Sequence, residues 1–191
     1  PLLVCATLAC SQRLVNLYLP WEENGRRISG HDRRGELHQE FVVEDTTKKT
    51  RTMSEITVAV QVVDVQVVEN ENGKITAAEG AQLWQGGLEF TAEPDQILTY
   101  CNIQLEADGV RYGGKEAKVN SSLYGAIAPP ACVPEETPGP SFKLFSSEVT
   151  ETTPPRPRTW SKSLTFALPT GVTPQALRLW WHHPEYLYIP F

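Results

Sequence analysis

The most compact group of metal-ligand side chains in this sequence is the pair His182-His183 followed by Glu185. Imidazole nitrogen and carboxylate oxygen both bind zinc and related ions. Adjacent residues of a strand point to opposite faces, so two neighbouring histidines do not easily share one ion. His31 and His38 fall in a polar stretch that we interpret as a linker, where a site would lack rigid support. The sequence therefore predicts no metal site and no cofactor.

Catalytic patterns are equally scarce. No serine lies within a Gly-x-Ser-x-Gly elbow, and neither Cys101 nor Cys132 has a histidine nearby in the sequence. Acidic pairs are abundant, at Glu22-Glu23, Glu44-Asp45 and Glu135-Glu136. In a chain with a net charge of −6, such pairs are typical of solvated surface. We therefore predict that the protein is not an enzyme and has no catalytic residues, with an envelope hydrolase as a distant alternative.

The four cysteines separate into two pairs by their surroundings. Cys5 and Cys10 lie in the apolar N-terminus, whereas Cys101 and Cys132 lie in the polar body. We expect Cys101 and Cys132 to form a disulfide, which would stabilise the fold by roughly 3 to 4 kcal/mol in the chain-entropy model. A disulfide indicates an oxidising compartment. The alternative is two free, buried thiols.

Aromatic residues crowd the C-terminus of the chain. They are Trp180, Trp181, Tyr186, Tyr188 and Phe191. Alternation along a strand buries only every second side chain, so some of these rings are predicted to face outward and to form a partner-binding surface, together with the Pro-rich residues 133–158. The alternative is that one tryptophan and one tyrosine of this group fill the core.

The N-terminal ten residues, PLLVCATLAC, are almost wholly apolar. A spanning helix needs about twenty such residues, so we interpret residues 1–20 as the outer part of a single-pass transmembrane or signal-anchor helix. Arg13, Tyr18 and Trp21 then lie at the membrane interface, where long cations and aromatic rings are favoured. Lipidation at Cys10 and a buried segment of a soluble fold are the alternatives.

The body of the chain has the composition of an all-β protein. Its 15 prolines and 13 glycines favour short strands joined by turns, and 191 residues fit one domain. We predict a linker over residues 21–45 and an immunoglobulin-like antiparallel β-sandwich over residues 46–191, with a Pro-rich insertion at 133–159. The basic residues near 26–34 favour a cytoplasmic side, but large domains cross membranes with little regard to charge, so we place the body outside.

Several strands can be predicted individually. Residues 56–68 alternate in two runs that change phase at Val62-Val63, which indicates a long strand with a bulge. Asp108-Gly109 predicts a tight hairpin turn. Further strands are predicted near Leu83 to Phe90, over residues 161–168, and as a final pair at 177–181 and 186–189. Repeated short strands with turns between them are typical of a sandwich.

The order of these features resembles a known group, the small immunoglobulin-like domains of unknown function on membrane-anchored or lipid-anchored envelope proteins of bacteria. The resemblance rests on the Val-rich residues 56–68, on Leu83-Trp84, on Cys101 with LEADGVRY, on Cys132, and on LTFALP before LRLWW. It covers residues 55–191 and implies fold and envelope location, but no activity. The insertion at 133–159 departs from the group, so no binding surface is carried over.

The sequence therefore predicts a membrane-tethered, extracytoplasmic accessory or scaffold subunit of a larger integral membrane complex, for example in respiration or transport. Its expected partners are that complex and, through residues 1–20, the lipid bilayer. We expect no nucleic-acid partner, because a net charge of −6 and a pI near 5.3 argue against a basic surface that tracks phosphates. The alternative is an envelope glycan- or lipid-binding module that uses Trp84, Trp160, Trp180 or Trp181 as a stacking platform.

Overall fold

The computed structural model describes residues 25–45, 48–71, 75–98, 101–113, 132–142 and 148–191. These residues form thirteen strands and include no helix, and so none that is long and apolar enough to cross a membrane. The predicted anchor over residues 1–20, with Arg13, Tyr18 and Trp21, lies outside the described residues. The anchor therefore stays a prediction.

Two sheets make up the body. The strands of the five-stranded sheet are, in spatial order, β1 (Arg26–Ser29), β13 (Glu185–Pro190), β12 (Ala176–Trp180), β7 (Asn102–Ala107) and β8 (Val110–Gly113). The strands of the four-stranded sheet are, in spatial order, β11 (Thr159–Pro169), β6 (Ala81–Thr91), β3 (Thr50–Val68) and β2 (Arg34–Asp45). Two small ribbons pair β4 (Asn70–Glu71) with β5 (Ile75–Thr76) and β9 (Ser141–Phe142) with β10 (Val149–Thr150). The strand pairs are antiparallel except for β1 and β13, which run parallel.

The core lies between the two sheets. Val58, Val60 and Val62 of β3 face inward from the four-stranded sheet, and Leu177 and Leu179 of β12 face them from the other; all five are at most 2% exposed. Burying one such side chain contributes roughly 1.5 to 3 kcal/mol. The two-layer sandwich predicted from alternation is therefore confirmed.

The phase change in the Val-rich strand corresponds to a β-bulge. The pairing of β3 with β6 shifts register between Val62 and Asp64, and the extra residue, Val63, is exposed. Gly87 lies opposite this bulge, where a Cβ atom would overlap the carboxylate of Asp64. The predicted bulge is confirmed, and the space taken by Asp64 explains the glycine.

The predicted hairpin at Asp108-Gly109 is also confirmed. It joins β7 to β8, and both turn residues have positive φ, 50° and 77°. A two-residue turn with this conformation matches the twist of the strands it connects, and aspartate followed by glycine tolerates it well.

The predicted linker over residues 21–45 is wrong in its described part, because it contains β1 and the twelve-residue β2. The strand pattern of β2 is hidden because an inward position next to Leu37 is occupied by Gln39, a polar residue that is only 2% exposed. The Gln39 amide donates hydrogen bonds to the carbonyls of His182 and Glu185 and accepts them from the amides of Trp181 and His182. Its polar groups are therefore satisfied inside the fold.

The strand order departs from the predicted immunoglobulin arrangement at one point. In constant-type immunoglobulin domains the strand after B crosses to the other sheet. In this chain the next long strand after β3 is β6, which stays in the same sheet and pairs with β3. The structure thus shows an antiparallel sandwich with its own strand order.

The described parts of the Pro-rich insertion are fastened to the sandwich. Cys101 and Cys132 form a disulfide, with S–S 1.90 Å and Cα–Cα 6.0 Å, in agreement with the prediction. The indole Nε1 of Trp160 donates to the Cys132 carbonyl at 2.7 Å. Arg156, only 1% exposed, donates to the carbonyls of Pro138, Glu93 and Gln96 at 3.1, 2.7 and 2.9 Å. These contacts hold the insertion against the loop that follows β6.

Candidate functional site

Aromatic and cationic side chains share the outer surface of the five-stranded sheet. Leu187 and Ile189 of β13 point into the core, so the alternating residues Tyr186 and Tyr188 point outward. Arg27 on β1 and Arg178 on β12 stand beside them in register, and Trp180 follows on β12. We call these five outward residues, Arg27, Arg178, Trp180, Tyr186 and Tyr188, the aromatic face.

Each tyrosine of the aromatic face has a guanidinium group against its ring. The Cζ atom of Arg27 lies 3.6 Å from the ring centroid of Tyr188, and that of Arg178 lies 4.1 Å from the ring centroid of Tyr186. Cation–π contacts of this kind contribute about 0.5 to 1 kcal/mol where exposed, and about 2 kcal/mol where desolvated. The two rings are thus positioned by strand backbone and by arginine stacking within this chain alone.

Arg178 is unusual because it is only 7% exposed although it belongs to the outer side of the sheet. Its Nη1 lies 3.5 Å from Oε2 of Glu106, and among the described residues its Nε has no hydrogen-bond partner. Burial lowers the pKa of Arg178, and the positive charge of Arg111 lowers it further. A charged donor with an unmet hydrogen bond therefore lies beside the ring of Tyr186.

The five C-terminal rings predicted to bind a partner divide between surface and core. Trp181 belongs to the core: it is 6% exposed, and its Nε1 donates to the Leu98 carbonyl at 3.0 Å. Its ring is therefore not available to a partner. Phe191 is half-buried and packs against the core. Trp180 is half-buried on the outer side, and its ring centroid lies 5.4 Å from that of His183.

The two arginines of the aromatic face are not among the site residues predicted from the sequence. Arg178 lies between the inward Leu177 and Leu179, so the alternation of β12 could have placed it outward. Arg27 lies in the segment interpreted as a linker, and its position follows only from the parallel pairing of β1 with β13.

None of the five residues of the aromatic face lines either of two depressions found among the described residues, although Ser29, at the edge of the first, is paired with Tyr188. One depression lies around Gly30, Gly35 and Gln61, and another around Glu40, Glu55 and Asp95. Small-molecule sites are concave and enclose most of the ligand. The residues of the aromatic face lie on three neighbouring strands, β1, β13 and β12, and do not line a concave site of this kind.

Among the described residues, His182, His183 and Glu185 are not a group whose ligand atoms converge. The ring of His182 stacks on Phe41, with centroids 3.8 Å apart and an interplanar angle of 14°. Partial burial lowers the pKa of His182. Metal-ligand side chains do converge elsewhere, at His38, Glu40 and Glu55. This group could not be predicted from the sequence, because the polar residues around His38 are typical of a linker.

Comparisons with known proteins give little. No family model and no curated protein matches the chain. Among solved structures, the secreted protein MPT63 of Mycobacterium tuberculosis is similar, with 13% sequence identity and a TM-score of 0.40; the match covers 86% of this chain and 98% of that protein.

Proposed function

We propose that this chain is a non-catalytic binding domain that docks on another protein through the aromatic face. In this proposal it acts as an accessory or scaffold subunit of a larger membrane complex on the extracytoplasmic side. The observation that carries the proposal is the pair of outward tyrosines, each stacked with an arginine on a rigid sheet.

The composition of the face supports a protein partner. Tyrosine, tryptophan and arginine are enriched at protein interfaces and dominate their binding energy. Immobilising a flexible side chain on binding costs about 0.5 to 1.5 kcal/mol. Because Tyr186 and Tyr188 are already held by Arg178 and Arg27, much of that cost is met when the domain folds.

The extracytoplasmic location is part of the proposal. The disulfide between Cys101 and Cys132 supports it, because disulfides persist in oxidising compartments. Tethering through residues 1–20 and kinship with the immunoglobulin-like envelope domains are further elements of the proposal. They rest on the sequence patterns described above.

The glycan- or lipid-binding alternative has less support. Of the four tryptophans considered for a stacking platform, Trp160 and Trp181 are each 6% exposed. Trp84 is partly buried against the core and belongs to the four-stranded sheet, whereas Trp180 belongs to the five-stranded sheet. These rings therefore do not share one surface.

Site-specific photo-crosslinking tests the proposal. A photoreactive phenylalanine analogue at position 188 should form an adduct with one defined protein in membranes of cells that produce the chain. The same analogue at position 63, which is exposed on the opposite sheet, is the control and should give no such adduct. Equal labelling from both positions, or no protein adduct from position 188, would contradict docking through the aromatic face.

A further inference from the structure

Three side chains with metal-binding atoms meet on the outer side of the four-stranded sheet. His38 and Glu40 are two residues apart on β2 and share its outward side, and Glu55 of β3 lies directly opposite Glu40 in the strand register. All three side chains are exposed, and one ligand atom from each lies within 4.8 Å of the other two.

We propose that His38, Glu40 and Glu55 form a binding site for a divalent transition-metal ion, with Zn²⁺ as the representative ion. One imidazole nitrogen and two carboxylate oxygens are a ligand set that Zn²⁺ accepts, and three protein ligands leave a fourth position for water or an incoming group. The imidazole favours zinc and neighbouring metals over Ca²⁺ and Mg²⁺, which prefer oxygen ligands alone.

The charge distribution on this hairpin supports a bound cation. Carboxylates directly opposite each other on paired strands are destabilising, yet neither Glu40 nor Glu55 forms an ion pair with a lysine or arginine of the described residues. Farther along the same hairpin, Glu44 does pair with Arg51, at 3.1 Å. A divalent ion between Glu40 and Glu55 would turn their repulsion into attraction.

The imidazole is oriented by a neighbour on the other strand. Nδ1 of His38 and the hydroxyl oxygen of Thr57 are hydrogen-bonded at 2.9 Å. In metal sites, a hydrogen bond to one ring nitrogen fixes the ring and leaves the other nitrogen for the metal. His38 and Thr57 are directly paired in the β2–β3 ladder, so the ligands stand on regular, hydrogen-bonded backbone, which a precise site requires.

The surroundings of the site add negative potential. Glu40 and Glu55 also line a depression that includes Asp95. Glu93 lines it too, but its charge is offset by the ion pair with Arg158. A concave surface lined by charges of one sign concentrates counter-ions of the opposite sign. The proposed metal site is on the sheet opposite the aromatic face, so a test of the metal site does not depend on whether the docking proposal is correct.

Calorimetric titration of Zn²⁺ into the metal-stripped full chain tests the site. The chain should carry Cys5→Ser and Cys10→Ser so that thiols do not compete for zinc. We expect one Zn²⁺ per chain, with affinity reduced at least about tenfold by His38→Ala or Glu55→Gln. Thr57→Val, which removes the orienting hydroxyl, should reduce it by about tenfold.

Two matched controls define the outcome. Glu36→Gln changes a carboxylate on the same strand and the same side, and His31→Ala removes a histidine outside the group; both should bind Zn²⁺ like the parent chain. The absence of saturable Zn²⁺ binding would overturn the proposal. Zn²⁺ binding that is unchanged in the His38→Ala and Glu55→Gln variants would also overturn it. So would Ca²⁺ binding that is as strong as Zn²⁺ binding and is unchanged by His38→Ala. Far-ultraviolet circular dichroism confirms that each variant is folded before it is titrated.

Discussion

The guanidinium of Arg27 lies 3.6 Å from the ring centroid of Tyr188, across the parallel pair of β1 and β13, which are the first and last strands along the described chain. A residue near the start of the described chain thus holds a ring near its end. The same pairing brings β1 into the sandwich. Formation of the aromatic face therefore depends on folding of the whole sheet and not on the C-terminal segment alone.

Removal of the disulfide should lower the stability of the fold, but the chain should stay folded in the absence of denaturant. The bond closes a loop between residues 31 apart in sequence, and replacing Cys101 and Cys132 with serine should lower the free energy of unfolding by about 3 kcal/mol. Urea unfolding measures this change. The parent chain should lose similar stability under reducing conditions, while the double variant should not respond to reductant. Equal unfolding midpoints for both chains would show that the disulfide contributes nothing.

Arg156 should be essential to the attachment of the Pro-rich insertion. Its guanidinium donates to three backbone carbonyls, and burial lowers its pKa to about 10. Arg156→Met leaves those carbonyls without their donor and should lower the free energy of unfolding by about 3 kcal/mol.

The matched control for this prediction is Arg158→Met. The guanidinium of Arg158 pairs with the exposed carboxylate of Glu93, at 2.6 Å. Its loss should leave the urea midpoint nearly unchanged, because exposed ion pairs contribute little. Equal losses from the two variants would mean that burial of Arg156 has no special structural role.

Stability should fall in mildly acidic solution because of His182. Partial burial lowers its pKa below the ordinary value of 6.5, so the unfolded chain takes up a proton at a higher pH than the folded chain. The stability linked to this group is fully present above about pH 6.5 and is lost as the pH falls toward the folded pKa.

Thermal melts from pH 8 to pH 5 measure this dependence. His182→Asn should flatten the decline near pH 6, whereas the neighbouring His183→Asn should retain it. A His182 variant with the same pH profile as the parent would assign the effect to another group.

Features with a strong local signal could be predicted from the sequence. The shift of phase at Val62-Val63 located the bulge, and Asp108-Gly109 located the turn, because both depend on neighbouring residues only. Strand β2 could not be predicted, because Gln39 breaks its apolar pattern and finds its hydrogen-bond partners in residues more than 140 positions away.

The candidate sites could be predicted only in part, because they too depend on contacts between residues that are distant in the sequence. Tyr186 and Tyr188 could be named from their crowding, but the burial of Trp181 depends on packing across the two sheets. The meeting of His38 with Glu55 depends on the register between β2 and β3. The sequence pattern predicts a linker in place of β2 and therefore gives no register between β2 and β3.

Binding of a partner through the aromatic face is the central claim, and quantitative co-purification in mild detergent tests it most directly. The parent chain should retain a stoichiometric protein partner from a membrane extract of its source cells. Tyr186→Ala with Tyr188→Ala should release that partner while the chain stays folded. The lost cation–π contacts contribute about 1 kcal/mol at the exposed Arg27 and about 2 kcal/mol at the covered Arg178, so the melting temperature should fall by roughly 6 to 12 °C.

The control is Val63→Ala with Val67→Ala, which removes exposed apolar area, 57% and 54% exposed, from the opposite sheet and should leave the complex intact. We predict loss of the partner with the tyrosine variant alone. A partner that stays bound without both tyrosine rings would contradict the claim, as would a collapse of the melting temperature with the complex still assembled.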